Sequence, residues 1–109
     1  MKNLLIIAIA ALTLTACTKE IDIQGHYVTE KYYNMGVLIP DMEFELTLEN
    51  GNCYFYDPAS GQEVAGTYTY DETTLTTTTN MAVTIIWQYT FEDNRLILWT
   101  DYERWELVR

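Results

Sequence analysis

Cysteine, proline, histidine, serine and basic residues are all scarce in this 109-residue chain. Two Cys cannot build a framework of disulfides. The one His and the one Ser leave only His26 with Ser60 or Cys53 for a nucleophile–base pair. Ser60 lies in Pro58-Ala59-Ser60-Gly61, which is turn chemistry and no nucleophile elbow. Paired carboxylates at Glu43 and Glu45 read first as the solvated face of an acidic strand. No His/Cys/Asp spacing matches a zinc or EF-hand site, although a loose calcium site on the turns at Asp57, Asp71 or Asp101 stays open. The expectation is a chain with no catalytic residue, no metal ligand and no cofactor. Six Lys and Arg stand against sixteen Asp and Glu, a formal charge of −10, and such a field repels nucleic acid and anionic head groups. No stretch carries a helical apolar period with caps, and no apolar run reaches the ~20 residues that cross a bilayer.

The longest apolar run, Leu4 to Leu14, follows Lys2 and Asn3 and leads into Leu14-Thr15-Ala16-Cys17. This arrangement resembles the lipobox of a bacterial lipoprotein signal peptide. It implies that residues 1–16 are a leader and that Cys17 becomes the lipidated N-terminus. Residues 17–22 then form the lipid attachment and a short tether, and residues 23–109 a single β domain. Lys2 leaves with the leader, which takes the formal charge from −10 to −11. Thr18, rather than Asp, follows the Cys, which resembles outer-membrane sorting. The expected location is therefore the outer membrane, lipid-anchored, facing the periplasm or the cell surface. With Cys17 acylated, Cys53 is left alone, on the same strand face as Phe55, and reads as a small buried hydrophobe.

Period two dominates everything after Ile21. Ile21, Ile23 and Tyr27 open the first strand, with Gly25 able to bend it, and Tyr32 to Pro40 reads as a longer, irregular connection. Met42 to Glu49 alternates apolar against acidic. Asn50-Gly51 is a type I′ hairpin signal, because both residues accept positive φ. Strands follow at Asn52 to Tyr56, Val64 to Tyr70, Thr73 to Thr79, Ala82 to Phe91, Arg95 to Thr100 and Glu103 to Val108, separated by short turns. On the last of these, Trp105 and Leu107 face one way and Arg104 and Glu106 the other. The fold class is all-β: an antiparallel up-and-down meander of about eight strands that curls or closes into a barrel to protect its edges.

Nine Tyr and three Trp supply the remaining signal. Tyr and Trp bury much area while keeping a polar tip, so they either fill a small core or line a binding cleft. Tyr68, Trp87, Trp99 and Trp105 are the candidate ligand-binding residues, with core filling the competing reading for Trp87 and Trp105. Tyr32, Tyr33 and Tyr102 lie near turns and are expected on an exposed contact surface. The Thr run from Thr73 to Thr79 can order water or pair with sugars, but Thr is also simply a good strand former.

Ile23-Gln24-Gly25-His26-Tyr27 is similar to the opening motif of the small bacterial lipocalin-like lipoproteins, with Tyr27 where that group has Trp. Gly66-Thr67-Tyr68-Thr69-Tyr70 followed by Thr74-Leu75-Thr76 resembles its hairpin, and Phe91 to Leu98 its penultimate turn and strand. Arg104 or Arg109 matches its closing-strand basic residue. The resemblance implies an eight-stranded up-and-down barrel without enzyme activity. The functional expectation is a membrane-anchored, lipocalin-like binding protein for a small apolar or glycan ligand. The alternative is an acidic interaction module that inhibits or scavenges cationic proteins such as lysozyme, resting on charge and location.

Overall fold

The computed structural model describes residues 22–109; the leader, the lipobox with Cys17 and most of the tether lie outside the described residues. Among the described residues nine strands follow one another: β1 (Gly25–Asn34), β2 (Val37–Leu38), β3 (Glu45–Glu49), β4 (Asn52–Asp57), β5 (Gln62–Tyr70), β6 (Thr74–Thr79), β7 (Thr84–Glu92), β8 (Arg95–Trp99) and β9 (Glu103–Val108). From β3 onward each strand pairs antiparallel with the next. β1 pairs with β9 along one edge and with β3 along the other, which closes an eight-stranded up-and-down barrel. The two-residue β2 covers the upper part of the β3-facing edge of β1. Closure removes the free edges that an open sheet of this length would expose.

Three two-residue loops turn the chain back on itself. Asn50-Gly51, Asp93-Asn94 and Met35-Gly36 all have positive φ at both positions, the signature of type I′ turns. Asn50-Gly51 is thus the hairpin that its sequence announces. Met35 is not a residue that favours positive φ, and Gly36 is a weaker hairpin signal than the Asn-Gly pair.

The first strand departs from expectation. Tyr32 to Pro40 is not an irregular connection: β1 continues to Asn34 and forms a hairpin with β2. The cause is a bulge. Thr29 pairs with Leu107 and Lys31 with Glu106, so Glu30 has no partner across the strand pair. One extra residue reverses the alternation. Tyr27 and Tyr32, of opposite parity in sequence, therefore both point inward and are both buried. Tyr32 is consequently not part of an exposed contact surface, and Tyr33 is half-buried, whereas Tyr102 is 66% exposed.

Elsewhere the alternation holds. Leu46 and Leu48, Cys53, Tyr68, Leu75 and Thr77, Trp87 and Tyr89, Leu96 and Leu98, and Leu107 form the buried interior. Gly66 marks a pinch between β5 and β6: a Cβ there would lie 2.2 Å from the Thr78 carbonyl oxygen and 2.8 Å from Thr79 Cα. Only a residue without a side chain permits that approach.

The two ends of the barrel differ. Both ends of the described chain meet at one pole. Ile23 is fully buried there, and the Tyr27 hydroxyl donates to its carbonyl at 2.6 Å. The Arg109 guanidinium donates to the carbonyls of Asp22 and Gln24 and to Asn94 Oδ1. The Gln24 side chain accepts from the Asn50 amide, tying in the β3–β4 turn. These contacts plug that pole.

An apolar cavity at the open pole

At the other pole the inward-facing residues of the upper half do not meet. They leave a cavity of about 260 Å³ lined by Phe44, Leu46, Phe55, Val64, Thr77, Thr79, Ile85, Trp87, Leu98, Glu103, Trp105 and Leu107, with Glu45 at its edge. Each of these except Glu45 lies on the inward parity of its strand or directly extends it. An eight-stranded barrel has room for packed side chains or for one small ligand. Here the lower half takes the first option and the upper half the second. The volume exceeds the ~150 Å³ apolar cavity that suffices for benzene, and lies just under the ~300 Å³ where drug-sized pockets begin.

One wall is an aromatic stack. Trp105 packs between Tyr32, with ring centroids 4.1 Å apart, and Phe44, at 5.5 Å and near-parallel. The bulge in β1 is what delivers Tyr32 to this stack. Opposite in sequence, Trp87 is buried and its indole N–H donates to Thr77 Oγ1 at 3.1 Å. Thr77, 1% exposed, is the buried polar side chain of the interior. Its oxygen accepts from Trp87, and its own proton meets no acceptor among the described residues. Such a donor on an apolar wall can orient a ligand acceptor.

The second polar group is Glu103 at the start of β9. Its Oε1 accepts from the Tyr32 hydroxyl at 3.1 Å and from Trp105 Nε1 at 3.3 Å. The Tyr32 oxygen in turn accepts from Asn34 Nδ2. Glu103 thus sets the aromatic stack in place from the rim.

The four sequence-derived candidates separate. Trp87 and Trp105 line the cavity. Tyr68 belongs to the packed lower half, where burial raises its hydroxyl above the ordinary value and the ring stacks near Tyr70. Trp99 shares the outer parity of β8 with Ile97 and lines a shallow surface depression beside Tyr102 and Arg104. Phe44, Phe55, Thr77 and Glu103 are not among those four candidates, although the Thr73–Thr79 run contains Thr77. Their signal was present: each sits in phase with an apolar neighbour two residues away, Glu103 with Trp105.

The other chemistry-bearing groups lie apart. His26 is on the outer face, its Nε2 2.9 Å from Glu45 Oε1 and its Nδ1 2.9 Å from Thr47 Oγ1. Ser60 donates to Asp57 within its own turn. Cys53 is fully buried as expected, and burial pushes its thiol above the ordinary value, which keeps it a poor nucleophile. The Asp71 carboxylate is held below its ordinary value by the amides of Thr73 and Thr74, so it serves its own turn. Among the described residues no three His, Cys, Asp or Glu side chains converge as a metal site would require.

No protein-family model and no curated protein matches the sequence. Among solved structures the chain is similar to an uncharacterized protein from Bacteroides eggerthii, with a TM-score of 0.70 and 11% identity. The match covers 81% of this chain and 99% of that one. At that identity the likeness speaks for the fold: a small antiparallel β-barrel shared by both chains.

Proposed function

We propose that this protein is a lipid-anchored, lipocalin-like carrier or sensor that takes one small, largely apolar molecule into the open pole of its barrel. The observation that carries the reading is the apolar cavity walled by Trp87, Trp105, Phe44 and Phe55, above a buried cluster that includes Ile23, Tyr27, Leu48 and Cys53. A core that merely needed filling would have no reason to leave 260 Å³ open on one side. The apolar walls favour a hydrocarbon or aromatic body over a sugar, which needs a denser set of polar partners. The resemblance to lipocalin-like lipoproteins gains support from Arg109, which lies over Tyr27, the residue in the family's Trp position.

In this reading Cys17 carries the lipid. The tether enters at the plugged pole, where Asp22 and Gln24 are held by Arg109. The cavity then opens away from the anchoring membrane, so its ligand arrives from the aqueous side or from a partner.

Intrinsic Trp fluorescence tests the reading. Titration with 4-phenylbutanol and 1-decanol is expected to give a saturable change, and titration with glucose or maltose none. Val64→Trp, at the half-buried edge of the cavity, is expected to abolish the response by filling the space. Absence of any saturable response to either apolar probe would overturn the proposal.

A further inference from the structure

The carboxylate on the cavity rim has a free oxygen. Both hydrogen bonds to Glu103 end on Oε1, and no donor among the described residues meets Oε2. Among the described residues no basic side chain forms an ion pair with it: Arg95 pairs with Glu30, Arg104 with Glu106 and His26 with Glu45, and Arg109 is engaged at the other pole. Arg104, its chain neighbour, points outward, because successive residues of β9 face opposite ways. Glu103 is half-buried between the aromatic stack and the apolar cavity, where an ionic contact is less screened than at the surface. Apart from Glu45 at the edge, which pairs with His26 on the outer face, the remaining wall is apolar or hydroxyl-bearing. The chain's charge of −10 draws cations towards the molecule as a whole.

We propose that Glu103 makes the cavity selective for apolar molecules that carry a cationic nitrogen. The hydrocarbon or aromatic body occupies the space between Trp87, Leu98 and Phe55, and the ammonium group sits at the rim against Glu103 Oε2. The Tyr32 and Trp105 donors hold the carboxylate in position before the ligand arrives, so little side-chain entropy is lost on binding. This inference rests on the cavity being a ligand site and adds the chemical class of the ligand.

The test uses three probes with one body: 4-phenylbutylamine, 4-phenylbutanol and 4-phenylbutyrate. Calorimetric titration is expected to rank them amine, alcohol, acid, with the amine about tenfold tighter than the alcohol, the scale of a charge-assisted hydrogen bond. Glu103→Gln keeps an oxygen that accepts from Tyr32 and Trp105 but removes the charge. In that variant the amine-to-alcohol ratio is expected to fall close to one. Glu106→Gln, on the outer face of the same strand, removes the same net charge and is expected to leave the ratio as it was. Near-UV circular dichroism verifies that the aromatic stack persists in both variants. Equal binding of amine and alcohol by the wild type, or an equal loss of preference in both variants, overturns the role of Glu103 and leaves the cavity reading standing. Failure of all three probes to bind overturns the cavity reading itself.

Discussion

The Arg109 guanidinium lies 6.0 Å from the centre of the Tyr27 ring and 4.7 Å from that of Phe91, across the plugged pole of the barrel. It also donates to two backbone carbonyls on the incoming chain and to Asn94, so one side chain ties together the first strand, the last strand and the β7–β8 turn. Arg109→Ala is therefore expected to cost roughly 1–3 kcal/mol in urea denaturation. Arg109→Lys should recover only part of that, because an ammonium lacks the planar fork. Arg104→Ala, on the outer face and paired with Glu106, should stay within ~0.5 kcal/mol. Equal costs for Arg104→Ala and Arg109→Ala would remove the plug as an explanation.

Tyr32 and Tyr102 look alike in sequence, each beside a turn, yet one is 8% exposed and the other 66%. Tyr32→Ala is expected to destabilise by ~3 kcal/mol or more, through a cavity beside Trp105 and the lost bond to Glu103. Tyr32→Phe should cost about 1 kcal/mol. Tyr102→Ala should be close to neutral. Thermal unfolding of the three variants measures the contrast.

Three tyrosines give the domain an alkaline limit. Burial pushes the Tyr27 hydroxyl up to about 12, against the opposing pull of Arg109, and burial also raises Tyr68 and Tyr89. A raised folded-state value means that the unfolded chain loses its proton first as pH rises. Each contribution is therefore complete below pH ~10 and is lost as the pH climbs through the folded value. Unfolding free energy measured from pH 9 to 12 should be level and then fall. Tyr27→Phe should lessen the fall relative to its own value at pH 9, and an unchanged slope would show that other groups control it.

At Gly66, any side chain meets the backbone of β6 rather than a movable group. Gly66→Ala is expected to cost about 2 kcal/mol or more, since strands and not rotamers must shift. Gly51, with positive φ and open space around it, is a conformational requirement instead. Gly51→Asn should thus be tolerated far better than Gly66→Asn, a contrast that expression level and melting temperature both report.

For the proposed anchor, Cys17→Ala is expected to abolish labelling by a palmitate analogue and to move the protein from the membrane to the soluble fraction. Lipoprotein acylation supplies more than the two lipid signals that make anchoring stable, so the wild type should not wash off in salt. Identical fractionation of the two proteins would refute lipidation.

Local backbone chemistry was legible from the residues alone. Strict alternation identified β3 to β9 within three residues at each end, because a strand with one buried face must write its burial in period two. Asn50-Gly51 announced its turn, because few residue pairs accept positive φ twice. Those same phases placed Trp87 and Trp105 inside.

What the sequence left open depends on contacts between residues distant in the chain. The bulge at Glu30 arises from the fit of β1 to β9 some 75 residues later, and only that fit turns Tyr32 inward. Closure of β1 against β9 is a property of the summed twist and stagger of eight strands, not of any segment. The division into a packed pole and an open one is decided by where the two ends of the described residues meet and by Arg109 reaching back over Tyr27. The cavity is the space those long-range fits leave unfilled, and Glu103 acquires its place on the rim only when the last strand closes beside the first.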